Sequence, residues 1–505
     1  MGIARNLVAN STNQGVSFLV NIIAVPLYLS QLGVEQYGLL GFAIVVQTWV
    51  NLLEIGMSGT LGREMTRLKI RDVGEASVHS FLRSLDWLFL GIILVLPLLG
   101  WLLRGWWAQE WFEGATLDPR AIGDCVVLII ALAAVRLTGT LYKGGLMGLE
   151  RQVLVSTVSI VGSVARLILP LPFIWAIPDV RIVVAAWLIV SVVELVAVRL
   201  ALSVAFSTRF RWTHFSFAEL GRRAHLWGRI AYLAVAWTAI TQTDKLILSR
   251  ILPLADYGRF TLVMIVANAT LAIPTPILFA FQPRMTAAAA KGDQDELSRL
   301  VRSATRLLII FLIAPAFALA AVPYLAMLGW TGSAGAARPA SAYLAPYALG
   351  SAIAGFSALV YSIQYAHGDL RLNVRAYSWF VALLIPAEIV VAGRFGAIGA
   401  AWLWLAVNVG MLVAYCPLVL RRFLPGEAMR WLGIIIAPPA VASALAAWAM
   451  VSLVDVGTGD RLTAVAITIA TAAAACAAAA LVTLLVALLE RQRLRGSDVR
   501  SARRA

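Results

Sequence analysis

Three cations interrupt otherwise apolar stretches of this chain, Arg136, Arg166 and Lys245, and each demands a partner. A Lys or Asp turned toward lipid costs roughly 2.5–3.5 kcal/mol on insertion scales, so these side chains face either an acid inside a helical bundle or a polar cavity that accepts an anion. Glu54, Glu194, Asp244 and Glu388 are the acids available for neutralisation. Of these, Glu54, Asp244 and Glu388 are also ion-coupling candidates, because an acid in a cavity exchanges a proton once burial favours its neutral form. Amides and hydroxyls recur at helical spacing nearby. Asn6, Asn10, Asn13, Ser17 and Asn21 step by four or three, as do Gln47, Asn51, Glu54 and Ser58, and Thr238, Thr241, Gln242 and Lys245 share one side of a later helix. Facing stripes of this kind line a wet cavity suited to sugar hydroxyls. The alternative is hydrogen bonding between helices, worth about 0.6 kcal/mol per contact.

The elements that position these residues are membrane helices. The chain has 505 residues, 61% hydrophobic and 13% charged, with a mean hydropathy of +0.85. Soluble domains carry about a quarter charged residues. Apolar runs of membrane length recur from end to end, leaving no room for a sizeable soluble domain. The expected fold is an all-α polytopic membrane protein of about fourteen helices: 6-30, 37-59, 84-103, 121-143, 153-175, 182-206, 227-251, 257-281, 304-328, 343-366, 374-393, 397-420, 431-453 and 462-488. The net charge of +15 is distributed by loop. Of the 41 Lys and Arg residues, 29 fall in the terminal segments and alternate loops that would be cytoplasmic, 8 in the opposite loops and 4 within spans. That bias places both termini in the cytoplasm and reports topology rather than nucleic-acid binding. The opening MGIARNLV lacks a cleavage site and reads as an uncleaved first span.

An internal repeat sets the architecture. Tyr37-Gly38 recurs as Tyr257-Gly258, Arg63-Glu64-Met65-Thr66 is echoed by Arg284-Met285-Thr286, and Ala186-Trp187-Leu188 by Ala401-Trp402-Leu403, at an offset near 220 residues. Six helices separate the copies, so the halves keep one orientation and form parallel repeats about an axis along the membrane normal. The expected domains are an N-lobe at 1-206, a cytoplasmic linker at 207-226, a C-lobe at 227-420, two extra helices at 431-488 and a basic tail at 489-505. On this reading, deletion from Leu462 onward leaves a folded protein. The connections Arg63 to Ser80 and Arg284 to Arg302 read as amphipathic interfacial helices, and Pro274, Pro276 and Pro386 as points of interruption.

The runs TDKLILSRILPLADYGRF, FQPRMTAAAAKGDQDELSRLVRSATR, EQYGLLGF…LLEIGMSGTLGREMTRL and FGAIGAAWLW resemble the polysaccharide transporter family. These are the O-antigen and exopolysaccharide flippases of the multidrug/oligosaccharidyl-lipid/polysaccharide exporter superfamily. The resemblance covers roughly residues 1 to 425. It implies a bacterial inner-membrane flippase that moves an undecaprenyl-pyrophosphate-linked oligosaccharide to the periplasmic leaflet by alternating access. Its expected partners are the lipid-linked oligosaccharide, membrane lipids, and polysaccharide polymerase and chain-length machinery. Under it, Lys245, Arg166 and Arg136 would hold the pyrophosphate, whose oxygens match guanidinium forks. Asn10, Asn13, Ser17, Asn21, Gln47, Asn51, Thr241 and Gln242 would bind the glycan.

Alternatives within the superfamily are a lipid II flippase and a multidrug/cation antiporter, the latter expected to prefer an acidic lumen. From another class, an integral-membrane glycosyltransferase or polymerase needs larger loops than the one near Arg104 to Arg120. No cofactor is expected. The four lysines are followed by Ile70, Gly144, Leu246 and Gly292, so no phosphate-binding loop is present, and His79, His214, His225 and His367 have no metal-ligand spacing. Cys125, Cys416 and Cys476 fall singly in apolar runs.

Overall fold

The computed structural model describes residues 2–54, 56–70, 75–205, 217–453 and 460–502, without the side chains of 2–11, 75, 217–220, 222–231, 233 and 491–502. The described residues are helical with no strand, as expected where every backbone N–H and C=O must be satisfied away from water. The chain divides into two compact units, Met1–Gly258 and Arg259–Ala505.

The first unit holds α1 (Gly2–Val50), a 3-10 turn (Asn51–Glu54), α2 (Met57–Lys69), α3 (Glu75–Leu102), α4 (Arg104–Trp106), a π-helical turn (Trp107–Trp111), α5 (Pro119–Gly148), α6 (Gln152–Ile168), α7 (Leu171–Ala176), α8 (Val180–Ala205) and α9 (Phe217–Ile251). α1 is too long for one crossing, since 49 residues span about 74 Å against a hydrocarbon core of about 30 Å. It is broken at Gly33, whose φ of 74° is open to glycine without steric penalty. The two arms correspond to the first two predicted helices. α5 is the central strut, in contact with α1, α2, α3 and α8.

α10 (Leu254–Ala272) begins in the first unit, and the second continues with α11 (Pro274–Lys291), α12 (Gln294–Leu308), a π-helical turn (Ile309–Ile313), α13 (Ala314–Ala321), α14 (Pro323–Thr331), α15 (Ala334–Ala366), α16 (Arg371–Gly410), a π-helical turn (Met411–Tyr415), α17 (Cys416–Phe423), α18 (Glu427–Arg430), a π-helical turn (Trp431–Ile436), α19 (Ala437–Leu453) and α20 (Arg461–Ala502). α10 stops where Pro274 removes a backbone donor, as the sequence predicts. α16 runs through Pro386 and breaks instead at Gly396, φ 60°. Among the described residues, eleven helical stretches are long and apolar enough to cross a membrane. Two of them, Thr12–Glu54 and Arg371–Phe423, each contain one of these glycine breaks. With α9, they accommodate the fourteen predicted crossings.

The predicted interfacial helices are built differently. α2 lies on protein, with Leu61 and Met65 fully buried beside Leu137, Leu141 and Leu146 of α5. The other stretch, Arg284 to Arg302, runs from the end of α11 through a two-residue turn into α12, which is amphipathic: Leu297, Leu300, Val301 and Ala304 are buried on protein while Asp295 and Arg299 stay exposed. Gly292 takes the left-handed conformation at φ 69°, and Asp293 Oδ1 accepts from Glu296 N at 2.8 Å to cap α12. The basic tail continues α20 as helix to Ala502.

α19 and α20 are integrated into the second unit. Ala464, Thr471, Ala475 and Ala479 of α20 are completely buried at helical spacing, and small side chains let helices approach closely where no aqueous driving force operates. Arg461 donates to the carbonyls of Gly329 and Trp330 at 3.1 and 3.2 Å, satisfying the end of α14. Glu490 of α20 accepts from Arg306 of α12 at 2.5 Å and from Arg430 of α18 at 3.2 Å. Trp431 Nε1 donates to Thr305 Oγ1 at 2.8 Å. This reverses the expectation that the chain beyond Leu462 is dispensable, because α20 closes the core of the unit.

One contact carries the sequence repeat into three dimensions. A Cβ on Gly38 would sit 2.6 Å from Leu254 O, and one on Gly258 only 2.0 Å from Val34 O. The pairing is reciprocal and keeps the repeat offset, 38 to 258 and 34 to 254. Alanine at either position must separate the two backbones. Gly258→Ala is expected to destabilise by about 1–3 kcal/mol as overpacking and Gly38→Ala by a comparable amount, read as a lower melting temperature of the purified protein. Unchanged melting in both would show that the backbones separate freely.

Candidate functional site

The first unit encloses a polar cavity of about 210 Å³. The first arm of α1 contributes Asn13 and Ser17, and the second arm with its following turn contributes Gln47 and Asn51. α5 adds Arg136, Gly139, Thr140 and Lys143, one face at steps of three, one and three. α6 adds Ser159, Ser163 and Arg166, and α8 adds Ser191 and Glu194. Ser17 and Ser163 hydroxyls lie 3.2 Å apart, and Gln47 Nε2 donates to Asn51 Oδ1 at 3.0 Å. Asn13 Oδ1, Gln47 Oε1 and Ser191 Oγ make no hydrogen bond among the described residues. The lining therefore keeps unspent capacity for a hydrogen-bonding ligand.

Glu194 organises the charges. Its two carboxylate oxygens are divided between Lys143 Nζ at 2.6 Å and Arg166 Nη1 at 2.7 Å. Gly162 makes room for this bridge, since a Cβ there would lie 2.9 Å from Glu194 Oε2 and 3.4 Å from Arg166 Nη1. The Arg166 backbone is itself fixed. Pro170 cannot return the usual N–H to the Arg166 carbonyl, which instead accepts from Tyr28 Oη at 2.7 Å and Trp187 Nε1 at 3.0 Å. One proline thus turns an orphaned acceptor into an anchor tying α6 to α1 and α8. Arg136 contrasts with its neighbours. It is exposed to the cavity and, among the described residues, its guanidinium makes no hydrogen bond or ion pair. Among the described residues of the lining, three cations face one carboxylate, leaving two positive charges in excess.

The structure brings together Asn13, Ser17, Gln47, Asn51, Arg136 and Arg166 of the residues proposed from sequence. The side chain of Asn10 lies outside the described residues. Asn21 is not part of the lining. Lys245 is buried on α9, with Nζ 3.1 Å from both oxygens of Asp244 and 2.5 Å from Thr241 O. Thr241 Oγ1 donates to Trp237 O at 2.9 Å, and Gln242 Oε1 has no partner among the described residues. None of these four α9 residues reaches the cavity. Glu54 Oε1 accepts from Ser58 N at 2.6 Å, satisfying a first-turn donor of α2 where the helix dipole favours an anion. Glu388 is buried at 2% exposure on the inward face of α16 with Tyr377, Leu384 and Ala392. Arg199, the remaining cation within a span, pairs with Asp86 at 2.7 Å, and Tyr142 Oη donates to the same carboxylate at 2.6 Å.

The sequence reading missed Lys143 as a lining residue, and with it Thr140, Ser159, Ser163 and Ser191. The predicted fourth helix stops at residue 143, which puts Lys143 in a loop, whereas α5 continues to Gly148. The recoverable signal was periodicity: Arg136, Thr140 and Lys143 on one helix face, and Ser159, Ser163 and Arg166 on another.

The eleven membrane-length helical stretches among the described residues and the similarity to solved structures make this a multi-pass membrane protein of the MurJ/MATE-like fold. Three solved structures share this fold. The chain is similar to the lipid II flippase MurJ in an inward closed conformation, with a TM-score of 0.69 and 12% identity over 97% of this chain and 99% of that one. It is similar to an inward-facing MATE-family multidrug resistance transporter of the MOP superfamily, with a TM-score of 0.60 and 15% identity over 89% and 98%. A MOP superfamily transporter from Pyrococcus furiosus, described as having a binding pocket of reversed polarity, aligns with a TM-score of 0.53 and 15% identity over 89% and 95%. No protein-family model and no curated protein matches the sequence.

Proposed function

We propose that this protein is a flippase that carries an undecaprenyl-pyrophosphate-linked oligosaccharide from the cytoplasmic to the periplasmic leaflet of a bacterial inner membrane by alternating access, serving O-antigen or exopolysaccharide synthesis. The observation that carries the reading is the cavity with two positive charges in excess and a guanidinium that makes no hydrogen bond or ion pair among the described residues. A pyrophosphate diester supplies two negative charges, and Arg136 presents five donors to it. The amides and hydroxyls of α1, α6 and α8 would meet the first sugar. A lumen of this sign opposes a cationic drug, so the multidrug antiporter is the weaker alternative. A lipid II flippase has the same ligand chemistry, and the fold similarity to MurJ supports it as the second reading.

Two parallel six-helix lobes, with both termini cytoplasmic, complete the proposal. The reciprocal contact of Gly38 and Gly258 and the bias of basic loops support that arrangement. In it, Lys245 and Asp244 form a structural pair, and the pyrophosphate is assigned to Arg136, Lys143 and Arg166.

The test is reconstitution in vesicles with a lipid-linked oligosaccharide or with lipid II, scoring which one reaches the opposite leaflet. Arg136→Gln is expected to retain normal membrane abundance and to lose at least about tenfold in flipping, because removing one cation from a two-charge ligand forfeits more than about 1.4 kcal/mol. Flipping of lipid II alone would select the second reading. Undiminished flipping by Arg136→Gln would overturn the assignment of the cavity.

A further inference from the structure

Resting on the anionic-ligand reading, we infer that Glu194 is a resident stand-in for the ligand's phosphate: the arriving anion takes Lys143 and Arg166 from it, and the displaced carboxylate takes up one proton. The geometry supplies each element of this exchange. Lys143 and Arg166 are both held by Glu194 and both line the cavity, so an anion entering the cavity competes for the same N–H donors. Glu194 is 9% exposed and has no third cation within ion-pair distance among the described residues. Once its partners turn to the ligand, it is a buried carboxylate with an uncompensated charge. The cheapest relief is protonation, because burial without a partner disfavours the ionised form.

The groups facing Glu194 make the carboxylate the element that titrates. α5 presents Lys143 and Arg136, α6 presents Arg166, and both arms of α1 present only amides and hydroxyls to the cavity. In the unliganded state the bridge keeps Glu194 ionised. In the liganded state one proton from the bulk buffer, relayed through cavity water, adds to a Glu194 oxygen, and it returns to the buffer when the ligand leaves and the bridge re-forms. Gly162 lets the bridge form and re-form, since a Cβ there would lie 2.9 Å from Glu194 Oε2 and 3.4 Å from Arg166 Nη1. Linkage is reciprocal: if the anion promotes protonation, protonation must promote anion binding. A group whose proton affinity rises on binding strengthens that binding as pH falls.

The experiment is calorimetric titration of the purified full-length protein with sulfate, a tetrahedral anion whose charge is constant across the neutral range. Sulfate affinity of the native protein is expected to rise as pH falls, by up to about tenfold per pH unit for one linked proton. Repeating the titration in buffers of different ionisation enthalpy should show one proton taken up per sulfate bound. Glu194→Gln is expected to bind sulfate at least about tenfold more tightly at neutral pH, with no pH slope and no proton uptake, since the internal competitor has lost its charge. Lys143→Met combined with Glu194→Gln restores the charge balance if the single variant does not fold, and is also expected to bind without a pH slope. Sulfate binding with no proton uptake in the native protein, or a slope that persists in the Glu194→Gln variants, overturns the inference and leaves the flippase reading standing. If sulfate binds neither the native protein nor these variants, the anionic-ligand reading falls, and the inference falls with it.

Discussion

Removing Leu462 to Ala505 is expected to abolish the folded protein in membranes, not to trim an accessory. The truncation strips the second unit of Ala464, Thr471, Ala475 and Ala479, all fully buried, and opens the contact in which Gly329 meets Val465. It also leaves Arg306 and Arg430 without Glu490. A buried ion pair broken on one side costs about 3–5 kcal/mol, a large part of typical net stability. Arg430 keeps some solvent contact at 32% exposure, so its share is smaller than that of Arg306. Membrane abundance and monodispersity in detergent measure the outcome. A truncated protein with normal levels and native melting would restore the view that the last helix is an appendage. Neutralising Glu490, Arg306 and Arg430 together in the full-length protein should recover most of the stability lost in Glu490→Ala, which separates the ionic contribution from the packing of the alanine face.

Lys245→Ala is expected to be severely destabilising, and its combination with Asp244→Ala to recover. Both side chains are 7% exposed, and the ammonium lies 3.1 Å from each carboxylate oxygen. Removing the lysine takes the adjacent cation from a buried carboxylate, at a cost of up to about 3–5 kcal/mol, while removing both partners removes the two charges together and leaves the smaller packing loss of the deleted side chains. Arg166→Ala should behave differently, because Glu194 retains Lys143 as a partner. The Arg166 variant is therefore expected to keep its abundance and lose ligand binding. Melting temperature and membrane abundance for Lys245→Ala, Asp244→Ala, the double variant and Arg166→Ala decide the matter. Should Lys245→Ala melt normally yet fail to flip, Lys245 would rejoin the ligand-binding groups.

What the sequence could convey depended on whether a feature was local. Breaks at Pro274 and the pairing of Gly38 with Gly258 were legible, because a proline removes a donor wherever it stands and a repeat is visible as text. The polar stripes of α1 were legible as a helix face. Which cation met which acid was not. Arg166 had Glu54, Glu194, Asp244 and Glu388 as available acids, and only the packing of α6 on α8 selects Glu194. Lys143 was hidden by a helix boundary set five residues too early, where the apolar run gives way to Lys143 and glycines, while the backbone continues to Gly148. The alanine-rich final segment looked expendable for a similar reason. Small side chains are weak hydrophobic signals in water-based reasoning, yet in a bilayer they mark the closest helix contacts.

The ion pair between Arg306 and Glu490 joins residues 184 positions apart. At roughly 5–20 residues per second, the acid leaves the ribosome about 10–40 s after the arginine it neutralises. For that interval the second unit holds a half-made charge pair and an uncovered alanine-sized groove. Interruption of synthesis within it would release a chain marked as incomplete, and the membrane's proteases, rather than any loss of transport, would be the first to register the defect.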